Sequence, residues 1–297
     1  MKKFYIGLCI ILLSLSAEKA NATHAMGADL TYDYLGNNTY RIMLKFYRDC
    51  SGIPAPPAPY VTVSSATCGI TTYLNLNLVS VTEISQLCAS AVSTCRGGTF
   101  FGAEQYIYTG IISLQQCTDW VFEFDECCRN TSITNSILPD NYTLHIRATL
   151  NNVLAPTNSS PDFTTIPTPF ICLNQPFTYN HGVTDPNGNT IVYSLAHPVG
   201  INSGITPVSV PYSPGFDSTY PISTSSGTVT FNSSSGQLSM TPNAIQIGIV
   251  TVLVQEYNSA GQLIGSVERD MEVIVYDCAL NDVPVISNPS SVNFCLI

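Results

Sequence analysis

Three observations predict an all-β, disulfide-rich chain of two β-sandwich modules in series. The first is period-two alternation over residues 236–278. Val250, Val252 and Val254 share one face of a run, and Val267, Met271, Val273 and Val275 share one face of the next. In the second run Glu268, Asp270 and Glu272 point the other way, which reads as one face on a core and one in water. The polar link Asn258-Ser259-Ala260-Gly261 joins the two runs as a β-hairpin. The second observation is composition: only 10% of residues are charged, while Ser, Thr, Asn, Tyr, Gly and Pro abound. That mixture suits solvent-facing sheets and lacks the Glu, Lys and Ala that helices favour. The third is the set of eleven cysteines, ten of which lie beyond residue 22.

In chain order, residues 1–22 carry the marks of a secretory signal peptide. Lys2 and Lys3 form a basic start, Phe4 to Leu15 an apolar stretch too short to span a bilayer, and Ala20-Asn21-Ala22 a cleavage site. Residues 23–150 read as a Cys-rich β domain. Ala28–Leu35 and Thr39–Tyr47 flank the turn Gly36-Asn37-Asn38, with Tyr40, Ile42, Leu44 and Phe46 on one face of the second strand. Strand-like runs continue at residues 60–64, 71–81, 103–112, 120–124 and 142–150. Residues 151–169, rich in Pro and small polar residues without periodicity, read as a linker. Residues 170–278 hold about seven short strands, the pattern of an immunoglobulin-like sandwich. Residues 279–297 read as a second linker and the start of a further repeat. Pro289 to Cys295 restates Pro167 to Cys172, with the cysteines 123 positions apart.

Cleavage after Ala22 leaves seven basic and nineteen acidic residues, a net charge of −12. No basic stripe exists to displace counterions from phosphates, so nucleic acid is not an expected partner. Cys50, Cys68, Cys88, Cys95, Cys117, Cys127, Cys128, Cys172 and Cys278 read as structural disulfides of an oxidising compartment, with Cys295 left to a later module. Connectivity does not follow from spacing. A Cys172–Cys278 bond would tie the first and last strands of one module. Vicinal Cys127 and Cys128 are expected to staple separate neighbours rather than each other.

Asp185-Pro186-Asn187-Gly188-Asn189 places side-chain oxygens at alternate positions, as calcium loops do, and also as an Asx-rich β-turn does. Asp277, Asn281 and Asp282 form a second candidate calcium set at the end of the hairpin, to be weighed against an ordinary linker. No other cofactor is expected. The four histidines are scattered, and neither G-x-S-x-G nor H-E-x-x-H occurs. No catalytic residue is singled out. Trp120 and the sixteen tyrosines could stack on sugars, although aromatic cross-strand pairs in sheets are far commoner.

The run Thr23 to Cys50, THAMGADLTYDYLGNNTYRIMLKFYRDC, with Cys127-Cys128-Arg129-Asn130, resembles the front region of large Bacteroidetes surface proteins. These are labelled gliding-motility-associated or type IX secretion-sorted. The second half, with Asp185 to Asn189, Gly236-x-Leu238-x-x-Thr241-Pro242 and Glu268-Arg269-Asp270, is similar to their cadherin- or immunoglobulin-like repeats. The resemblance implies a secreted or outer-surface, non-catalytic, adhesin-like module for an extracellular polysaccharide or protein ligand. The alternative expectation is a carbohydrate-binding or polysaccharide-degrading secreted protein.

Overall fold

The computed structural model describes residues 25–87, 91–167 and 170–278. The first half supplies β1 (Ala25–Gly36), β2 (Thr39–Asp49), β3 (Tyr60–Ser65), β4 (Ile70–Asn75), β5 (Asn77–Glu83), β6 (Ala103–Ser113), β7 (Trp120–Glu126) and β8 (Leu144–Leu150). Next come β9 (Asp162–Phe163), β10 (Phe170–Cys172), β11 (Phe177–Asn180), β12 (Val183–Thr184), β13 (Thr190–Ala196), β14 (Val199–Gly200) and β15 (Val208–Ser209). The last four are β16 (Thr230–Phe231), β17 (Gln237–Met240), β18 (Gln246–Tyr257) and β19 (Leu263–Tyr276). The all-β class is as expected. On β2, alternation sends Tyr40, Ile42, Leu44 and Phe46 into the core, where all four are buried.

Nine strands hydrogen-bond in the order β4-β3-β7-β8-β19-β1-β2-β6-β5. Only the buried Leu76 separates β4 from β5, so the two ends of that order belong to one bent stretch of chain. The sheet is nearly closed into a flattened barrel. Its two faces meet through Tyr32 against Phe122 (centroids 5.5 Å apart) and Phe46 against Phe124 (6.1 Å).

The strand that completes this ring comes from the other half of the chain. Along one edge of β19, Gly265–Val267 pair with β8, Arg269–Met271 with β1, and Ile274–Tyr276 run parallel to β10. Its other edge pairs with β18 over nearly its whole length. Segments 23–150 and 170–278 therefore share a sheet instead of standing as separate modules in series, and this corrects the expected domain division. The reason is physical: without β19, β8 and β1 would face each other with unpaired backbone groups on open edges. The second half adds a layer of β11, β17 and β16 over the β13–β18–β19 face. Tyr179, Leu238 and Met240 from that layer join Val252 and Val254 in the same continuous core that fills the barrel.

Residues 151–167 are likewise no loose linker. Asn152, Asn158, Ser160 and Phe163 are buried. The Ser160 and Ser159 hydroxyls accept the backbone N–H groups of Tyr32 and Tyr34 (both 2.9 Å). They serve the part of β1 that lies beyond the reach of β19. Expectation also fails on the outer face of β19. Glu268, Asp270 and Glu272 are buried: Arg147 of β8 covers Glu268 (2.9 Å), and Arg129, which also donates to the Val199 carbonyl, covers Asp270. Arg129 makes a two-pronged pair with Asp270 (3.0 and 2.9 Å), and the Asn135 amide donates to the carbonyls of Pro221 and Ile249.

Candidate functional site

A concavity of about 460 Å³ opens where the two halves of the chain meet. One wall is the end of the β10–β19 pair, with Phe170 and Ile171 beside Tyr276, Asp277 and Cys278. The opposite wall is Ser51, Gln86, Leu87, Thr94 and Thr99 to Phe101. Each wall is stapled. Cys172 is bonded to Cys278, and Cys50 to Cys95, which fixes the short 3-10 turn Thr94–Arg96. Backbone bonding completes the second wall, with Thr94 N–H donating to the Phe100 carbonyl (2.7 Å).

Aromatic rings line the floor and the rim. Phe101 meets Phe170 edge-on at 4.5 Å, and Phe170 tilts against Tyr276 at 5.6 Å. Phe100 and Tyr276 stay 39% and 42% exposed, so part of each ring is available to a ligand. The Tyr276 hydroxyl is pushed above its ordinary pKa by burial and by Asp49, so it remains a neutral donor. Among the described lining residues there is one carboxylate, Asp277, and no Lys, Arg or His. The arrangement can stack and hydrogen-bond a ligand.

Compared with known proteins, this chain matches no family model, no curated protein and no solved structure.

The two candidate calcium sets are not brought together. Asp185 to Asn189 lies beside Glu256 at one end of the β18–β19 hairpin, whereas Asp277 lies just past the other end. About 40 Å of strand separates Gly265, which pairs with Glu256, from Asp277. Asn281 and Asp282 lie outside the described residues. In the 185–189 turn, Asp185 Oδ1 accepts the backbone N–H groups of Asn187 (3.0 Å) and Asn189 (2.7 Å), which is Asx-turn geometry. Asn187 Oδ1 accepts Ser159 N–H (2.9 Å). The Asn189 amide donates to Glu256 (2.7 Å), and so does that of Asn158 (2.7 Å). Glu256 is fully buried, and desolvation raises its pKa, with Asp185 adding to the rise. Sequence reading missed Glu256 and Asn158, which sit in a strand and an apparent linker with no local motif.

The other cysteines divide between agreement and correction. Cys68 is bonded to Cys117, while Cys127 and Cys128 are bonded to each other across a cis peptide, not to separate neighbours. Cys88 and Cys295 lie outside the described residues. Glu104 lies near the Cys50 and Cys95 sulfurs, but they are spent on their mutual bond and Glu104 pairs with Arg48 (2.8 Å). Trp120 is buried, its indole N–H donating to the Gln115 carbonyl (3.0 Å), so it offers no sugar-stacking face. His145 is held by Asp125 (2.8 Å) under β14, and His181 is buried among Phe163, Tyr179 and Phe231.

Proposed function

We propose that the protein is an exported, non-catalytic, adhesin-like binding module, displayed on the outer cell surface or released, and that the stapled aromatic cleft is its ligand-binding surface. Export rests on residues 1–22 and on the disulfides, which persist in oxidising compartments. The resemblance of residues 23–50 to Bacteroidetes type IX secretion-sorted surface proteins supports the same location. The observation that carries the binding reading is the cleft of about 460 Å³ with two partly exposed rings. It lies within the usual size range of ligand pockets, roughly 300–1,000 Å³. An extracellular polysaccharide or protein is the ligand class.

The test is incubation of the secreted protein with a panel of insoluble extracellular polysaccharides and matrix proteins. Depletion from the supernatant with no release of reducing ends or peptides is expected. Release of reducing sugar, abolished by a single Asp or Glu substitution, would replace this reading with that of a polysaccharide-degrading enzyme.

A further inference from the structure

We infer that the cleft takes a neutral polysaccharide chain, with Tyr276 and Phe100 as the surfaces on which sugar rings stack. The inference rests on the binding-module reading and narrows its ligand. Charge gives the first argument. The described lining holds no cationic side chain, Asp277 is its one carboxylate, and the whole chain carries a net charge of −10. A uronate, sulfate or phosphate chain would meet repulsion there with no guanidinium or ammonium to hold it.

The mixture of lining groups gives the second. Phe100, Phe101, Phe170 and Tyr276 alternate with hydroxyls and an amide from Ser51, Gln86, Thr94 and Thr99. Ser51 and Thr94 are already bonded within their wall, to Asp49 and to Gly102 N–H. The side chains of Gln86 and Thr99 make no hydrogen bond to other described residues. A purely apolar occupant would bury those two side chains unpaired, at the full cost of their desolvation. A pyranose ring presents an apolar C–H face to an aromatic ring and equatorial hydroxyls around its edge, so it satisfies both kinds of group at once.

Rigidity gives the third. The walls come from distant parts of the sequence, yet each carries its own disulfide, within two residues of Phe170 and Tyr276 on one side and next to Ser51 and Thr94 on the other. Little ordering entropy is left to be lost when a chain docks.

The experiment is titration calorimetry on the full secreted chain with hexasaccharides. Neutral gluco-, xylo- and manno-oligosaccharides form one arm, oligogalacturonate the second, and an aromatic-rich peptide the third. Binding to at least one neutral chain is expected, with an affinity nearly unchanged between low and high salt. Tyr276→Ala and, separately, Phe100→Ala should each weaken it about tenfold or more, while Tyr276→Phe should retain most of it. Circular dichroism and melting of each variant show that it is folded.

Tyr276-dependent binding of only the anionic chain or the peptide would overturn the neutral-sugar assignment and leave the cleft as the binding surface. Neutral-sugar binding that neither alanine variant weakens would overturn the cleft itself. No binding to any neutral chain would overturn the inference.

Discussion

Arg269 is the residue on which both halves of the chain converge. Its guanidinium is fully buried and grips Asp29 through two bonds of 2.6 Å. It also donates to the Thr165 carbonyl and to the Tyr179 hydroxyl (both 2.9 Å), and lies 4.2 Å above the Phe163 ring. Asp29 accepts the Tyr47 hydroxyl as well (2.7 Å). A buried ion pair of this kind is weak evidence for stability, but either partner alone would be an uncompensated charge in the core. It therefore fixes how β1, β19 and the 151–167 segment are aligned. Glu272 has no such mate. It is buried beside the Arg129–Asp270 pair, and desolvation raises its pKa to about 8, Arg129 opposing and Asp270 assisting. A carboxyl raised in the folded state binds its proton more tightly there than in the unfolded chain. Its contribution is complete below the ordinary carboxylate range and declines as pH rises towards 8. Melting temperature should therefore fall between about pH 5 and pH 8. Glu272→Gln should flatten that fall, and an unchanged slope would refute the assignment. None of this was legible in the sequence. Alternation placed Glu268, Asp270 and Glu272 in water, because a period-two reading reports that two faces differ and not what loops later cover.

Most strands, by contrast, could be read directly. The runs expected at residues 28–35, 39–47, 60–64, 103–112 and 120–124 match β1, β2, β3, β6 and β7 to within a few residues, and the β18–β19 hairpin turns where Asn258 to Gly261 predicted. Local chemistry specifies a strand when one face is apolar and a turn residue bounds it. The run at 71–81 breaks at Leu76, which turns inward as the chain passes from one face of the barrel to the other. What local pattern could not reveal is pairing between distant strands. The β1–β19 contact depends on Gly27, where β1 makes a register shift and φ is +151°. A Cβ there would lie 2.1 Å from the Asp270 carbonyl oxygen, a backbone atom with no freedom to withdraw. Gly27→Ala should cost roughly 3 kcal/mol or more by urea unfolding, from overlap and an unfavourable backbone together. A loss below 0.5 kcal/mol would mean that β1 and β19 do not approach as described.

At the level of the whole molecule, the expected beads-on-a-string arrangement gives way to a shared sheet and a main core to which both halves contribute. The Pro-rich composition of residues 151–169 looked like a linker because proline and small polar residues build loops of either kind, free or packed. The cleft was equally hidden. Phe100, Phe101, Phe170 and Tyr276 come from three separate segments, and nothing in their spacing announces that the fold gathers them. The gathering depends on β19, which closes the barrel with its middle and presents Tyr276 to the cleft with its end. Binding surface and barrel closure are thus two consequences of one strand. The most direct test of that dependence is differential scanning calorimetry of the secreted, oxidised chain. A single transition, with calorimetric and van't Hoff enthalpies equal, is predicted for two halves that share β19 and a core. Two separable transitions, one of them reproduced by residues 23–150 alone, would contradict it.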